Sequence, residues 1–418
     1  MKAWLIAGAL AASLPVTGAQ AASFLDRPYG TLVAGASPRA RALGGAGAAL
    51  AQGVHGLSDN PATLTFERGS RLSLTGTMLR TSENRFVPLF DTFDSYVDET
   101  AIAINDATFY ALNGGVTLDR WGKNGPVLAA AIFDRLDPRY HYFDERRSTA
   151  TTDQVVAHRY IDTEGVLRAL AAGVAMPLSD GDASVGVALN YYFGTITDRD
   201  ATVPYGPGST ATPVDTMVER RLAGYSLSFG VAARAGERLS MGMAVETPPV
   251  LDDEYTLWRD GVALSPPGAS GELALPMRFQ VGVAYRPRNS LETTFVMDAV
   301  FQPWSRVRDE LRPEVELENV WETRFGVEHV FYNDLPARFG FRYASSYTAE
   351  EADRATLTLG MGYRADRFRI EAAGEVGKRI SRQQPLWPRE EQGPAVGLGR
   401  DRVEDTSVQL TLGADYRF

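Results

Sequence analysis

The last twelve residues alternate in character from one to the next. Val408, Leu410, Leu412, Ala414, Tyr416 and Phe418 fall on one side of an extended chain, and Ser407, Gln409, Thr411, Gly413, Asp415 and Arg417 on the other. Side chains of a strand point alternately to its two faces, so a period of two sorts them into separate surfaces. One surface is wholly apolar and the other carries charge. Asp415 and Arg417 cannot face hydrocarbon without a large penalty, so the aliphatic and aromatic set must be the one that does.

The same pattern recurs upstream. Phe279, Val281, Val283 and Tyr285 alternate with Arg278, Gln280, Gly282 and Arg286, and Leu357, Leu359, Met361 and Tyr363 with Thr356, Thr358, Gly360 and Arg364. Phe368, Ile370, Ala372 and Val376 alternate with Arg367, Arg369, Glu371 and Glu375. All such segments together predict about fourteen strands, an even number as single-chain bacterial barrels have. They are expected to start near Arg71, Thr108, Pro126, Val166, Ala183, Leu222, Arg238, Arg278, Ser290, Trp321, Ala337, Thr356, Arg367 and Thr406. Connections after odd-numbered strands read as long, as in Thr81 to Ala107, Asp137 to Tyr160, Thr197 to Glu219 and Pro248 to Gly271. Those after even-numbered strands read as tight, at Asp119–Gly125, Ser179–Asp182, Ala235–Glu237, Pro287–Asn289, Tyr332–Leu335 and Ala365–Asp366, and carry the Gly, Asp, Asn and Pro of turns. Long loops outside and short periplasmic turns are the pattern of an outer-membrane barrel.

The chain's start agrees. Lys2, the apolar run Ala3 to Ala12 and Ala19-Gln20-Ala21 follow the order of an export signal, so residues 1–21 are expected to be removed. No run approaches the roughly 18 apolar residues of a membrane-spanning helix. There is no cysteine, hence no disulfide, despite the expected export. The mean hydropathy of −0.18 suits a soluble protein, but also a barrel in which only alternate strand residues meet lipid. A net charge of −10 argues against nucleic acid as a partner. The four histidines, His55, His141, His158 and His329, lack metal-ligand spacing, no Gly-x-Ser-x-Gly occurs, and nothing implies a cofactor or an enzyme.

Residues 22–68 stand apart, rich in Ala and Gly without period-two patterning. A barrel of this size encloses more space than its own side chains fill. The segment is therefore expected to plug the lumen of a barrel formed by 69–418. Its run Ala40-Arg41-Ala42-Leu43-Gly44-Gly45-Ala46-Gly47-Ala48-Ala49, followed by Asn60-Pro61-Ala62 and Leu64, resembles the hatch of the FadL family of long-chain fatty-acid transporters and their PorV-type relatives. Leu275-Pro276 opening a strand, Trp304-Ser305 ending the next, and the segment Trp321 to Tyr343 are similar to the family as well. The resemblance implies a fourteen-stranded barrel with an N-terminal hatch, moving hydrophobic small molecules inward by passive, plug-gated diffusion: captured among the outer loops, they pass into the lumen and leave when the hatch shifts or through a gap in the wall. Arg41-Ala42-Leu43-Gly44 is closer to the PorV side, which leaves an anchor or shuttle for secreted proteins as the alternative.

Expected hatch residues are Gly44, Gly45, Gly47, Asn60, Pro61 and Ala62, with Asn60 bonding backbone groups and Pro61 fixing the turn. Among the inward charges, Arg278, Arg324, Arg338 and Arg342 are the candidates for contact with a ligand carboxylate, since Arg binds one with two bonds; the alternative is that they form ion-pair ladders. Tyr416 and Phe418 resemble the signal read by the barrel-assembly machinery, which makes that machinery, with outer-membrane lipid and lipopolysaccharide, an expected partner. Apolar clusters in the loops, at Phe86, Val87, Leu89, Phe90 and Phe93 and at Tyr140, Tyr142 and Phe143, suit either a capture groove for a hydrophobic ligand or packing of the loops on themselves.

Overall fold

A computed structural model describes residues 23–32, 37–91, 93, 95–122, 124–147, 154–178, 182–206, 209, 211–288, 292–331, 335–348, 352–386 and 400–418. The expected export signal at 1–21 lies outside the described residues, as do parts of the expected turns near 180, 289 and 333 and most of the last long loop.

Fourteen antiparallel strands close into a barrel. In chain order they are β1 Arg71–Phe90, β2 Tyr96–Leu118, β3 Val127–Asp137, β4 Leu167–Leu178, β5 Ala183–Pro204 and β6 Val214–Ala235. β7 runs as Leu239–Glu246 and Val250–Arg259, and β8 as Ser270–Ala274 and Arg278–Tyr285. β9 Glu292–Gln302, β10 Val320–Val330, β11 Pro336–Ala344, β12 Arg354–Arg364, β13 Phe368–Gln383 and β14 Asp401–Arg417 complete the wall. Closure is between first and last strands, from Arg71 opposite Arg417 to Phe86 opposite Arg402. The breaks in β7 and β8 face one another and hold Pro248, Pro249 and Pro276, which have no N–H for a ladder.

The outward faces are apolar and bare: Leu357, Leu359, Met361, Leu410 and Leu412 are exposed, while Thr356, Thr358, Gln409 and Thr411 between them are buried in the lumen. This inverts the rule for water-soluble proteins and fits an exterior solvated by hydrocarbon. Aromatic side chains mark the ends of the band. Phe368 packs on Tyr416 at the short-turn end, and Tyr191 on Tyr225 and Phe301 on Trp321 at the other.

Strand lengths correct one expectation. β2 begins at Tyr96 rather than near Thr108, and most of the segments expected as long loops are ladder that continues beyond the apolar band. Tyr140–Arg147 and Val155–Glu164, for example, form a hairpin continuing β3 and β4. Above the band both faces of a strand meet water, so the apolar–polar alternation fades although the backbone bonds persist.

Inside lies the hatch. Ser37 caps a short helix, α1 (Pro38–Ala42), by accepting from the Ala40 N–H, and Pro38 occupies its first turn, where no N–H is needed. A turn at Gly44 and Gly45 follows, both at positive φ (71° and 90°), which glycine tolerates without strain. A second helical turn, α2 (Gly56–Asp59), and the 3-10 helix Pro61–Phe66 lead into β1.

Candidate functional site: a lumenal cavity and a seam in the wall

The hatch is seated against an inner wall stripped of side chains. A methyl group added at Gly326 would lie 2.7 Å from the Leu43 Cα, and one at Gly413 2.6 Å from the Pro38 Cγ. At Gly186, Gly230, Gly242 and Gly340 it would collide with Pro61, Asn60, Ala48 and Gly44. Inward-facing glycine on strand after strand thus forms a cradle. The signal was present in the sequence as glycine among polar lumenal residues, where it read simply as polar face.

Polar bonds complete the seat. The Asn60 side-chain amide donates to the carbonyls of Ala48 (2.8 Å) and Val231 (3.0 Å), and its oxygen accepts from the Ala62 N–H (3.1 Å). Pro61 opens the 3-10 helix that follows. The Gly47 and Ala48 N–H groups both donate to Asp298, at 2.7 and 2.9 Å.

The candidate arginines join these anchors. Arg324 is clamped on Glu322 (2.9 Å) and donates to the Gly45 carbonyl (2.8 Å). Arg338 bridges Glu328 (2.6 Å) and Glu371 (2.8 Å), and Glu328 also takes Arg39 of α1 (2.7 Å). Arg41 pairs with Glu375 (3.0 Å), and Arg278 donates to the Ser58 and Asp59 carbonyls. Arg342 shares Glu375 (3.0 Å) but leaves Nη1 buried without a hydrogen-bond partner. All four arginines are thus held by wall carboxylates or hatch carbonyls; Arg338 and Arg342 each keep a spare Nη1, and of these two Arg342 lines the cavity described below.

At the base of the hatch, Glu67 meets Arg71 and Arg369. Burial pushes the Glu67 carboxyl upward, but the two guanidinium groups outweigh burial and hold it below the usual carboxylate range. Tyr416 packs outward on Phe368, while Phe418 donates its N–H to the Ser70 carbonyl (3.1 Å).

Above the hatch is a cavity of about 120 Å³. Leu79, Trp304, Val320 and Ala352 supply its apolar lining, and Arg342, Arg354, Arg379, Glu322 and Glu375 its charge. Trp304 stacks on Tyr347 at 4.3 Å. The N-terminal strap 23–32 borders it: Asp26 pairs with Arg379 (2.9 Å), and the Tyr347 hydroxyl donates to the carbonyls of Asp26 (2.9 Å) and Gly30 (3.0 Å).

The wall beside this cavity is incomplete. β2 pairs with β3 over only five residues, Gly114–Leu118 against Leu128–Ile132. Beyond them both strands continue, yet no ladder joins them among the described residues. The edge of β3 that β2 abandons is taken by the strap, Thr31 opposite Asp137 and Leu32 opposite Leu136. Unpaired backbone deep in hydrocarbon costs several kcal/mol per group. Here the ladder ends at Ile132, opposite Leu170, which itself faces Tyr191, so the seam starts at the aromatic rim and runs away from the membrane core.

Side chains lace the seam. Asn113 accepts from the Asp134 N–H (3.0 Å), and Asn105 donates to the His141 carbonyl. Arg139 is bound two-handed to Asp137 (3.0 and 2.7 Å) and rests on the ring of Phe109 of β2, 5.0 Å from its centroid. A smaller cavity of about 20 Å³ touches Asn105, Phe109, Tyr140 and His141, and shares Arg354 and Ser407 with the larger one. The seam residues were missed in sequence, although the break of pattern at Asp137-Pro138-Arg139 was its only local sign.

No family model matches the chain, and no curated protein does either. Solved structures do. A FadL homologue of Pseudomonas aeruginosa is 14% identical, with 93% of this chain and 100% of that one covered and a TM-score of 0.66. The toluene transporter TodX of P. putida is 13% identical over 92% and 99%, at 0.60. The toluene transporter TbuX of Ralstonia pickettii is 16% identical over 92% and 98%, at 0.59. The chain therefore has the fold of the FadL-type outer-membrane channels, fourteen strands closed around an N-terminal hatch.

Proposed function

We propose that this protein is an outer-membrane channel through which compact hydrophobic molecules diffuse passively, from the long-loop side into the lumenal cavity and out through the seam between β2 and β3. The observation that carries the reading is the seam, placed at the aromatic rim and reached by cavities that share lining residues. The hatch is a poor moving part. Leaving its seat would strand the Arg39–Glu328 and Arg41–Glu375 pairs, and a buried charge that loses its partner costs about 3–5 kcal/mol. The concentration gradient alone drives the flow.

Cavity size favours a small solute. A void of about 150 Å³ in another protein admits benzene, and the 120 Å³ found here suits one ring better than a long alkyl chain. The spare Arg342 Nη1 offers a donor to a polar substituent. TodX and TbuX are toluene transporters, which supports the same size class. The barrel-assembly machinery and outer-membrane lipid remain the expected partners, on the strength of the ending Tyr416–Phe418 and the apolar exterior.

Uptake of labelled toluene by cells with and without the protein tests the transport reading; equal rates would refute it and favour the anchor role. A short thiol cross-link between Ala46→Cys of the hatch and Val296→Cys of the wall, members of one buried apolar cluster, fixes the hatch to the wall. Uptake is expected to survive that bond, and its loss would return the hatch to the role of gate.

A further inference from the structure

Among the described residues, Arg139 is one of three places where side chains cross the seam, beside the Asn113–Asp134 and Asn105–His141 bonds. It follows β3 beyond the Pro138 break, and its side chain is nearly buried. Both acceptor oxygens of Asp137 hold it from its own side. The face it offers to the other side lies on Phe109, a β2 residue packed on the lumenal side against Leu79 and Ala111. Phe109 also borders the small cavity, and Leu79 the large one. The Arg139–Phe109 contact therefore lies between the small cavity and the open edge of β3.

We propose that Arg139 is the latch of the seam and its selectivity element, favouring flat aromatic solutes over saturated ones of equal size. A guanidinium is attracted to the face of an aromatic ring and binds a saturated ring only by dispersion. When an aromatic solute separates the latch, its own ring replaces Phe109 as the partner of the guanidinium, and the cation is never left without a π face. A saturated solute offers no such exchange. Asp137 keeps the guanidinium positioned throughout, which makes it a positioning residue. This inference rests on the wall route proposed above.

The test is uptake of radiolabelled toluene and methylcyclohexane by cells producing each variant, with heat-modifiable mobility in detergent as the check on folding. Arg139→Ala is expected to speed methylcyclohexane roughly three- to tenfold, the scale of a lost cation–π contact with its charge-assisted bonds, and to lower the toluene preference toward one. Phe109→Leu removes the ring from the opposite edge and is expected to raise methylcyclohexane uptake likewise, which serves if the first variant folds poorly. Arg139→Lys keeps a cation over the ring and is expected to retain most of the preference. Finally, Phe109→Cys with Arg139→Cys, bridged by a short reducible thiol reagent, is expected to block both solutes until reductant is added. If the bridge blocks uptake while Arg139→Ala and Phe109→Leu leave rates and preference unchanged, the latch is wrong and the wall route stands. If the bridged protein transports normally, the wall route fails and the latch with it.

Discussion

Asn60 of the hatch reaches across to β6, where its side-chain amide donates to the Val231 carbonyl at 3.0 Å while also holding the Ala48 carbonyl at 2.8 Å. One buried side chain thus fastens the hatch to itself and to the wall. Removing it leaves carbonyl groups unsatisfied, each at about 1–3 kcal/mol. Asn60→Ala is expected to lower stability by roughly 2–4 kcal/mol on that scale, and to expose the hatch to protease while the barrel stays heat-modifiable. Limited proteolysis of purified protein in detergent measures this, and an uncut hatch would contradict the role.

The glycine cradle predicts a contrast between two conservative changes. Gly242→Ala forces a methyl group into the Ala48 carbonyl, whereas Gly76 has nothing within 4 Å of its Cβ direction. The first is expected to cost about 1–3 kcal/mol as overpacking, and the second to be close to neutral. Melting temperatures of the two variants decide it.

Acid is expected to loosen the base of the hatch. Glu67 has a folded pKa below its ordinary value, held there by Arg369 and Arg71 against burial. A depressed carboxyl contributes stability above its unfolded pKa of about 4.3, and the contribution is lost as pH falls through the lower folded value. Stability measured from pH 6 downward should therefore decline below about pH 4. Glu67→Gln should be less stable at pH 6 and should show a shallower decline.

Trp304 reports on the cavity, because it lines that space and stacks on Tyr347. Titration with a single-ring hydrophobic solute is expected to change tryptophan emission, and Trp304→Phe to remove most of that change. A response unaltered by the substitution would place binding elsewhere.

The ion pairs give a double-mutant test. Arg41 and Glu375 are both buried, and Glu375 is shared with Arg342, so Glu375→Gln takes one carboxylate from two guanidinium groups and is expected to cost about 3–5 kcal/mol. Adding Arg41→Met is expected to recover part of the loss, with Arg342 left on Glu322 at 3.6 Å. Denaturant unfolding of the two variants measures the coupling.

The barrel itself was legible because lipid imposes a rule on every second residue. Leu410 and Leu412 against Gln409 and Thr411 can satisfy bilayer and lumen in only one way. The hatch was legible in its small residues and in Asn60-Pro61-Ala62. What could not be read was partnership at a distance. Nothing near Arg324 announces Gly45, 279 positions away, and nothing near Glu375 announces Arg41, 334 away. The candidate arginines lie in the lumen, and whether such a group is spare or spent depends on what the hatch and the wall present to it.

The seam marks the same division. Local sequence determined that β2 and β3 are strands and that Pro138 ends one of them, since side-chain alternation and a missing N–H act within a few residues. Whether two strands remain paired is settled by register, curvature and competing edges, and here the strap at Thr31 and Leu32 takes the edge that β2 gives up. Hydrogen-bond partners are exchanged between segments far apart in the chain, so only the folded whole decides where the wall is open.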